Sequence, residues 1–362
     1  MKKGLIITLI VILVLAILAA GFVLLNDLGL LDQLLPTEPE PTPAATEAPT
    51  EPEPTEPEPT EPEPTEPEPT EPPFQMEVPA QYSDFLYGRQ ITAGEYFVYD
   101  LDRERFVVRT GNATERVYPA SITKLYAAYV ALEYLDPDEQ ITVGSELMML
   151  DPDSSLAELK YGDVLTVEQL INGMLLPSGN DATLSIAVAA GRKLAGDPEL
   201  SMYYAVDRFV TQMNDDRQRL GLTGSHFVTA DGIHSGYHYI SFQDMVTIGR
   251  LAMSNDVIAR SVETFFLEIP MGEERSLKWK NSNMLLDPSS RYYCAYITGL
   301  KTGFTTPAGN CLLSYAQVGD KNYIIGVFEC TYPEDRFADT LLLLMRVMGE
   351  PITAPQPVTE GE

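Results

Sequence analysis

The chain is short of cysteine, histidine and positive charge. It has three Cys (Cys294, Cys311 and Cys330) in 362 residues and no Cys-x-x-Cys spacing. A disulfide framework is therefore not expected. Its three His (His226, His234 and His238) fall in one loop-like stretch without Cys partners, so neither a metal nor another cofactor is expected. Lys and Arg number 24 against 53 Asp and Glu, giving a formal net charge of -29. Nucleic acid and anionic lipid are poor partners for such a chain, because phosphate contacts need clusters of Lys and Arg. Much of the charge is local: residues 37–73 hold twelve Glu and neither Lys nor Arg.

The abundant residue types divide the chain into regions. Residues 1–3 include Lys2 and Lys3 and are expected to be cytoplasmic. Residues 4–25, "GLIITLIVILVLAILAAGFVLL", are 22 residues without a charge. At 1.5 Å per residue they make a helix about 33 Å long, enough to span a bilayer core. The lysines hold the N-terminus inside, which places the remainder on the extracellular, cell-wall side. A cleaved signal peptide is the alternative, but "AILAAGF" matches its cleavage pattern weakly, so a retained single-pass membrane anchor is favoured. A juxtamembrane piece, 26–36, leads into the Pro/Glu/Thr-rich segment 37–73, with "TEPEP" repeating every five residues. This composition cannot bury a core and favours a disordered, extended tether reaching on the order of 100 Å.

Residues 80–350 have the size of one globular domain, followed by a polar tail at 351–362. "EYFVYDL" and "RFVVRT" read as a hairpin around Asp102 and Arg103. An apolar helix begins at Ser121, and "TVEQLINGMLL" opens with a capping box, Thr166 and Gln169. Further helices follow in "ATLSIAVAAGRKLA", "LSMYYAVDRFVTQMNDDRQRL" and "SFQDMVTIGRLAM". Late in the chain, "CLLSYAQV" and "KNYIIGVFEC" flank a tight Gly319-Asp320 turn, and a helix from Arg336 to Met348 closes the domain. Strands, helices, strands, helix is the order of a mixed α/β fold. Its antiparallel sheet is drawn from both ends of the domain and flanked by helices, with a helical block inserted between.

Within "YPASITKLYAAYVALEYL" a serine, Ser121, starts the helix and Lys124 sits one turn in. A cation at a helix N-terminus opposes the helix dipole. Ser-x-x-Lys alone carries little information, since Ser is also a good helix cap. Two more motifs alter its meaning: "LLPSGNDA", with Ser178 and Asn180 between two helices, and "GLKTGFTT", with Lys301, Thr302 and Gly303 just before the late hairpin. Each of the three occurs once, in the order found in penicillin-binding proteins and β-lactamases.

From about Glu95 to Leu344 the chain resembles the D-alanyl-D-alanine carboxypeptidases, the low-molecular-mass penicillin-binding proteins of serine peptidase type. "PASITK", "RLGLTGSHF", "HYISFQD", "WKNSNMLL" and "GLKTGFTTPAGNCL" carry the likeness alongside the three motifs. The resemblance implies a β-lactamase/transpeptidase-like fold and removal of the terminal D-alanine from peptidoglycan stem pentapeptides through an acyl-enzyme. β-Lactam antibiotics are then covalent inhibitors. By the same resemblance Ser121 is the nucleophile, Lys124 its base and Ser178 a proton relay. Asn180 binds the substrate backbone, Lys301 sustains the electrostatics, and Thr302 binds the substrate carboxylate. Backbone N–H groups of Ser121 and Phe304 form the oxyanion hole, and the strand following Gly303 lets the acyl-D-alanine chain lie alongside as an extra strand. A lysine near a helix start and a second cation, buried as well, loses its proton readily and serves as a general base.

The chain departs from its relatives at three places. Thr229 and Ala230 stand where relatives read Asn-Pro, in a loop expected to be structural and to affect the chemistry little. Ser282, between Asn281 and Asn283, replaces an Arg of some relatives, so the carboxylate must lean on Thr302, Thr305 or another cation. Many relatives carry a β-rich domain and a C-terminal amphipathic anchor; here the sequence closes on the polar "PITAPQPVTEGE", and the anchor is expected at the other end. A β-lactamase needs a further carboxylate base, and no Glu-x-x-x-Asn pattern lies between the second and third motifs. A D,D-endopeptidase uses the same site. A non-catalytic, tethered wall-binding protein would be marked by a lost Ser or Lys, and neither is lost. Whether Cys311 and Cys330, on facing strands, pair is left open by the sequence, free buried thiols being commoner.

Overall fold

Strands rich in Val, Ile, Phe and Tyr at the two ends of the domain meet in one antiparallel sheet. In the computed structural model, which describes residues 82–86, 88–273 and 275–348, a single helical turn, α1 (Ser83–Leu86), comes first. It precedes the expected hairpin of β1 (Glu95–Asp100) and β2 (Arg105–Arg109). The last three strands are β9 (Ile297–Thr305), β10 (Gly309–Val318) and β11 (Lys321–Cys330), with Gly319 at φ 63° in the predicted turn. The order across the sheet is β2-β1-β11-β10-β9, which leaves β9 at an edge. Four short strands make two-stranded ribbons: β3 (Arg116–Val117) with β6 (Ile240–Ser241), and β4 (Gln140–Thr142) with β5 (Val164–Thr166). The hairpin of β7 (Phe266–Pro270) and β8 (Ser276–Lys280) was not legible in the sequence.

The inserted block supplies α2 (Thr123–Leu132), α3 (Val167–Leu175), α4 (Asn180–Ala195), α5 (Met202–Arg219), α6 (Phe242–Ser254) and α7 (Asp256–Glu263). α8 (Asp335–Met348) closes the described chain. The capping box of α3 forms: Thr166 Oγ1 accepts from Gln169 N at 3.1 Å, and Gln169 Oε1 accepts from Thr166 N at 2.9 Å. All of α2 is buried except Tyr129 and Leu132, which makes it the central helix and explains why it is apolar all round.

Each face of the sheet has its own core. Phe97, Phe328 and Phe242 cluster on the helical-block side, with ring centroids 5.1–6.1 Å apart. Phe337, Leu341 and Leu344 of α8 cover Leu312, Ile325 and Val327 on the other side. Burying each such ring or aliphatic side chain contributes roughly 1.5–3 kcal/mol. Because side chains alternate along strands, Cys311 falls in the first core and Cys330 in the second, and both are free thiols. They do not pair.

Two expectations are corrected. The nucleophile segment is not the first turn of the long helix: Ala120–Ile122 form a separate 3₁₀ turn and α2 starts at Thr123. Lys301, Thr302 and Gly303 precede the late hairpin as expected, but the strand does not begin after Gly303: all three lie inside β9, paired with Leu313, Leu312 and Cys311 of β10. The expected anchor (4–25), juxtamembrane piece (26–36), tether (37–73) and tail (351–362) lie outside the described residues. Among the described residues, no helix is long and apolar enough to cross a membrane.

Candidate active site

Ser121 sits at the meeting point of three backbones. Ala120 takes a left-handed conformation, φ 47°, rare for a residue with a Cβ. Two glycines lie tight against this turn. A Cβ added at Gly303 of β9 would lie 2.8 Å from Pro119 O, and one at Gly232 would lie 1.9 Å from Ala120 O. The glycines let an edge strand and a loop press directly on the turn that presents Ser121. Ser121 does not cap the helix, since neither N-cap position makes a side-chain capping bond. Its Oγ instead accepts from Lys124 Nζ at 2.9 Å.

Lys124 is fully buried. Its Nζ also donates to Asn180 Oδ1 at 2.7 Å and to the backbone O of Asp231 at 3.1 Å, which uses all three ammonium donors. Burial pushes its pKa down to about 8, against a smaller opposing pull from the Asp231 and Asp181 carboxylates. Burial is the largest cause of the shift. Lys301 is also fully buried and lies well below the usual lysine range, through burial first and then the nearby Lys124 and Arg336 cations. Its Nζ donates to Thr302 O at 3.1 Å, away from Ser121 Oγ. Of the two lysines, only Lys124 is hydrogen-bonded to the serine.

Ser178 and Asn180 flank the start of α4. Ser178 holds φ 67°, is buried, and its Oγ has no hydrogen-bond partner among the described residues. Strain of this kind, about 1–3 kcal/mol, persists where surrounding structure fixes it. Asn180 is clamped from both ends, with Oδ1 on Lys124 and Nδ2 donating to Ser154 Oγ at 3.0 Å. Next to it, the buried Asp181 carboxylate accepts from Ala157 N and Leu159 N at 2.8 and 3.0 Å, fixing the wall that carries Ser154.

On β9, Thr302 Oγ1 lies 2.6 Å from Ser282 Oγ, so the serine that stands where some relatives have Arg touches the third motif. A cation arrives from elsewhere: Arg336 of α8 donates to Gly303 O at 3.2 Å. Phe304 is 58% exposed beside the turn, and Thr305 Oγ1 accepts from Ala308 N at 3.2 Å in the β9–β10 turn. Ser121, Asn180, Phe304 and Thr305 face one cleft of about 400 Å³, together with Ser154, Asp231 and His234. Lys124 and Lys301 are buried beneath it.

Of the nine residues singled out in the sequence, Ser121, Asn180, Phe304 and Thr305 line the cleft, and Lys124 hydrogen-bonds to two of these. Lys301, Thr302 and Gly303 run along β9 beside them, and Ser178 lies two residues before Asn180. Ser154, Asp181, Asp231 and Arg336 were missed. Asp181 stood beside a motif and could have been found as a buried acid there. The 229–232 loop, expected to matter little to the chemistry, instead supplies the Asp231 carbonyl to Lys124. Thr229 shapes that loop by accepting from Gly232 N at 3.0 Å. Among the described residues, no cluster of His, Cys, Asp or Glu could hold a metal ion.

The fold matches that of known proteins. The crystal structure of the Streptomyces K15 DD-transpeptidase superposes with a TM-score of 0.63 at 28% identity, over 72% of this chain and 98% of that one. Penicillin-binding protein D2 from Listeria monocytogenes, in its cefotaxime-bound form, has the same fold at TM-score 0.57 and 24% identity, over 71% and 97% of the two chains. The architecture is therefore that of the DD-peptidases, an antiparallel sheet flanked by helices. In sequence, D-alanyl-D-alanine carboxypeptidase DacC of Escherichia coli is 31% identical over 252 residues, covering 66% of this chain and 57% of DacC. DacF of Bacillus subtilis is 26% identical, covering 66% and 58%. The chain thus spans less than two thirds of the length of these curated relatives. The peptidase S11 family model, D-alanyl-D-alanine carboxypeptidase, matches residues 80–331. The chain belongs to that family.

Proposed function

We propose that this chain is a serine-type D-alanyl-D-alanine carboxypeptidase that removes the terminal D-alanine from peptidoglycan stem pentapeptides. One observation carries the reading: a fully buried lysine amine, its pKa pushed to about 8, is held 2.9 Å from the Ser121 hydroxyl. The neutral amine takes the Ser121 proton as Oγ attacks the carbonyl of the penultimate D-alanine. Backbone N–H groups of Ser121 and Phe304 receive the oxyanion. Ser178 passes a proton to the departing D-alanine amine, and water then releases the acyl group from Ser121. Asn180 binds the peptide backbone, which lies along edge strand β9. The terminal carboxylate rests on Thr302 and Thr305, in the field of Lys301 and Arg336. β-Lactams acylate the same serine, because their strained amide presents the same carbonyl to Oγ.

A pentapeptide ending in D-Ala-D-Ala is expected to release one D-alanine, measured by D-amino-acid oxidase coupling. Hydrolysis only of cross-linked dimers would favour an endopeptidase, turnover of penicillin a β-lactamase, and inertness towards all three a wall-binding role. Residues 4–25 are proposed as the membrane anchor and 37–73 as the tether, on their composition. They place the catalytic domain on the cell-wall side. Full-length protein should stay in the membrane pellet through alkaline carbonate; recovery in the wash contradicts the anchor.

A further inference from the structure

The loop between His226 and Tyr239 is closed at its base by two backbone bonds, His226 N to Tyr239 O at 2.9 Å and Tyr239 N to His226 O at 3.1 Å. Its tip reaches the nucleophile, where the Asp231 carbonyl receives Lys124 Nζ and Gly232 presses on Ala120. Inside it lies His238, 2% exposed. Val228 N and Thr229 N both point at its Nδ1, at 3.3 and 3.4 Å. A nitrogen that accepts from N–H groups carries no proton, so the proton is assigned to Nε2, which donates to Thr123 Oγ1 at 2.9 Å. Thr123 is the first residue of α2 and the immediate neighbour of Lys124. One ring therefore ties the limb of the loop that leads to Asp231 to the start of the helix that carries the lysine. Packing alone, such as the edge-on contact with Phe227 at 5.7 Å, does not call for polar bonds on both sides.

We propose that His238 is a positioning residue: by joining Thr123 to the 228–229 backbone it holds the Asp231 carbonyl on Lys124 Nζ, aims that amine at Ser121 and keeps water from it. This rests on the reading of Lys124 as the base. The charged and titratable groups that bear on His238 are Asp231, His226 and His234, all on its own loop; those that raise Lys124 are Asp231 and Asp181. Burial pushes His238 down to about 4, so the ring stays neutral while Lys124 titrates. A shift in the rising limb of the pH–rate profile is then a report on Lys124.

The test compares wild type with His238→Ala, His238→Gln and Thr123→Val. Rate constants for acylation by labelled penicillin are taken from pH 5 to 10. The Lys124 titration is followed separately by carbon-13 NMR of lysine-labelled protein without substrate. His238→Ala is expected to slow acylation by up to about 10²-fold, the scale of a misplaced reacting group. Opening the site to water should raise the Lys124 pKa and move the limb upwards, since burial is the largest influence on it. Gln can place a donor near the position of Nε2 and should recover most of the rate; Thr123→Val should lose rate as Ala does. Wild-type rate and limb in both His238 variants overturn the proposal, as does a lower melting temperature in His238→Ala with rate and limb unmoved. Where His238→Ala does not fold, an unchanged rate and limb in Thr123→Val overturns it. Should wild type itself not be acylated, the reading of the site fails; the NMR titration still decides, an unmoved Lys124 pKa in His238→Ala overturning the positioning role.

Discussion

Replacing Lys124 by Ala is expected to slow acylation of Ser121 about 10²- to 10⁴-fold, the usual scale of a positioned general base, with the fold retained. The hydroxyl is a weak nucleophile, and among the described residues Lys124 is the one side chain hydrogen-bonded to it. A mere capping role for Ser121 predicts near-neutral behaviour, and Ser121 makes no capping bond. Lys124→Arg separates charge from basicity, because a guanidinium does not deprotonate; it should acylate as poorly as Ala. The sign of the pH effect follows from the environment. Burial disfavours the ammonium and brings the pKa from 10.5 to about 8. Below that value the amine carries a proton and cannot accept another, so the acylation rate rises with pH through about 8 and then levels. Stopped-flow measurement with a chromogenic β-lactam from pH 6 to 10 checks both. A folded Lys124→Arg protein that acylates at the wild-type rate contradicts the assignment.

Gly232→Ala is expected to lower both stability and acylation. Gly232 holds φ +84°, and a Cβ there would lie 1.9 Å from Ala120 O. Neither backbone gives way easily, since Ala120 is also confined by Gly303 on its far side. Left-handed strain of about 1–3 kcal/mol and overpacking of about 1–3 kcal/mol together predict a loss on the order of 2–6 kcal/mol. Gly236, in the same loop, has no atom within 4 Å of a Cβ position. Gly236→Ala should stay within about 0.5 kcal/mol of wild type. Denaturant unfolding of the two variants gives the contrast, and equal midpoints contradict the close-approach account.

What the sequence disclosed and what it hid follow from the kind of signal each feature leaves. The capping box of Thr166 and Gln169, the hairpins and the apolar α2 were legible because local spacing alone determines them. The three motifs were legible because side-chain chemistry has to be spelled out in side chains. β9 was harder to see: "ITGLKTGFT" interrupts its apolar residues with two glycines and a buried lysine, so it does not alternate as strands usually do. The Asp231 carbonyl was invisible in principle, since every residue has one and only the folded backbone aims it. Arg336 comes from α8, 33 residues beyond Gly303, with no local pattern to link them. Ala120 reads as an ordinary alanine, and its left-handed conformation leaves no local sequence signal. Whether Cys311 and Cys330 pair was open in the sequence, and strand alternation settles it by putting them in different cores.

The most direct test is to locate the covalent adduct that penicillin forms on the intact protein. Digestion and tandem mass spectrometry should place a single penicilloyl group on Ser121, with no adduct in Ser121→Ala and greatly slowed formation in Lys124→Ala. An adduct on any other residue, or none on a folded protein that keeps Ser121 and Lys124 together, would contradict the account.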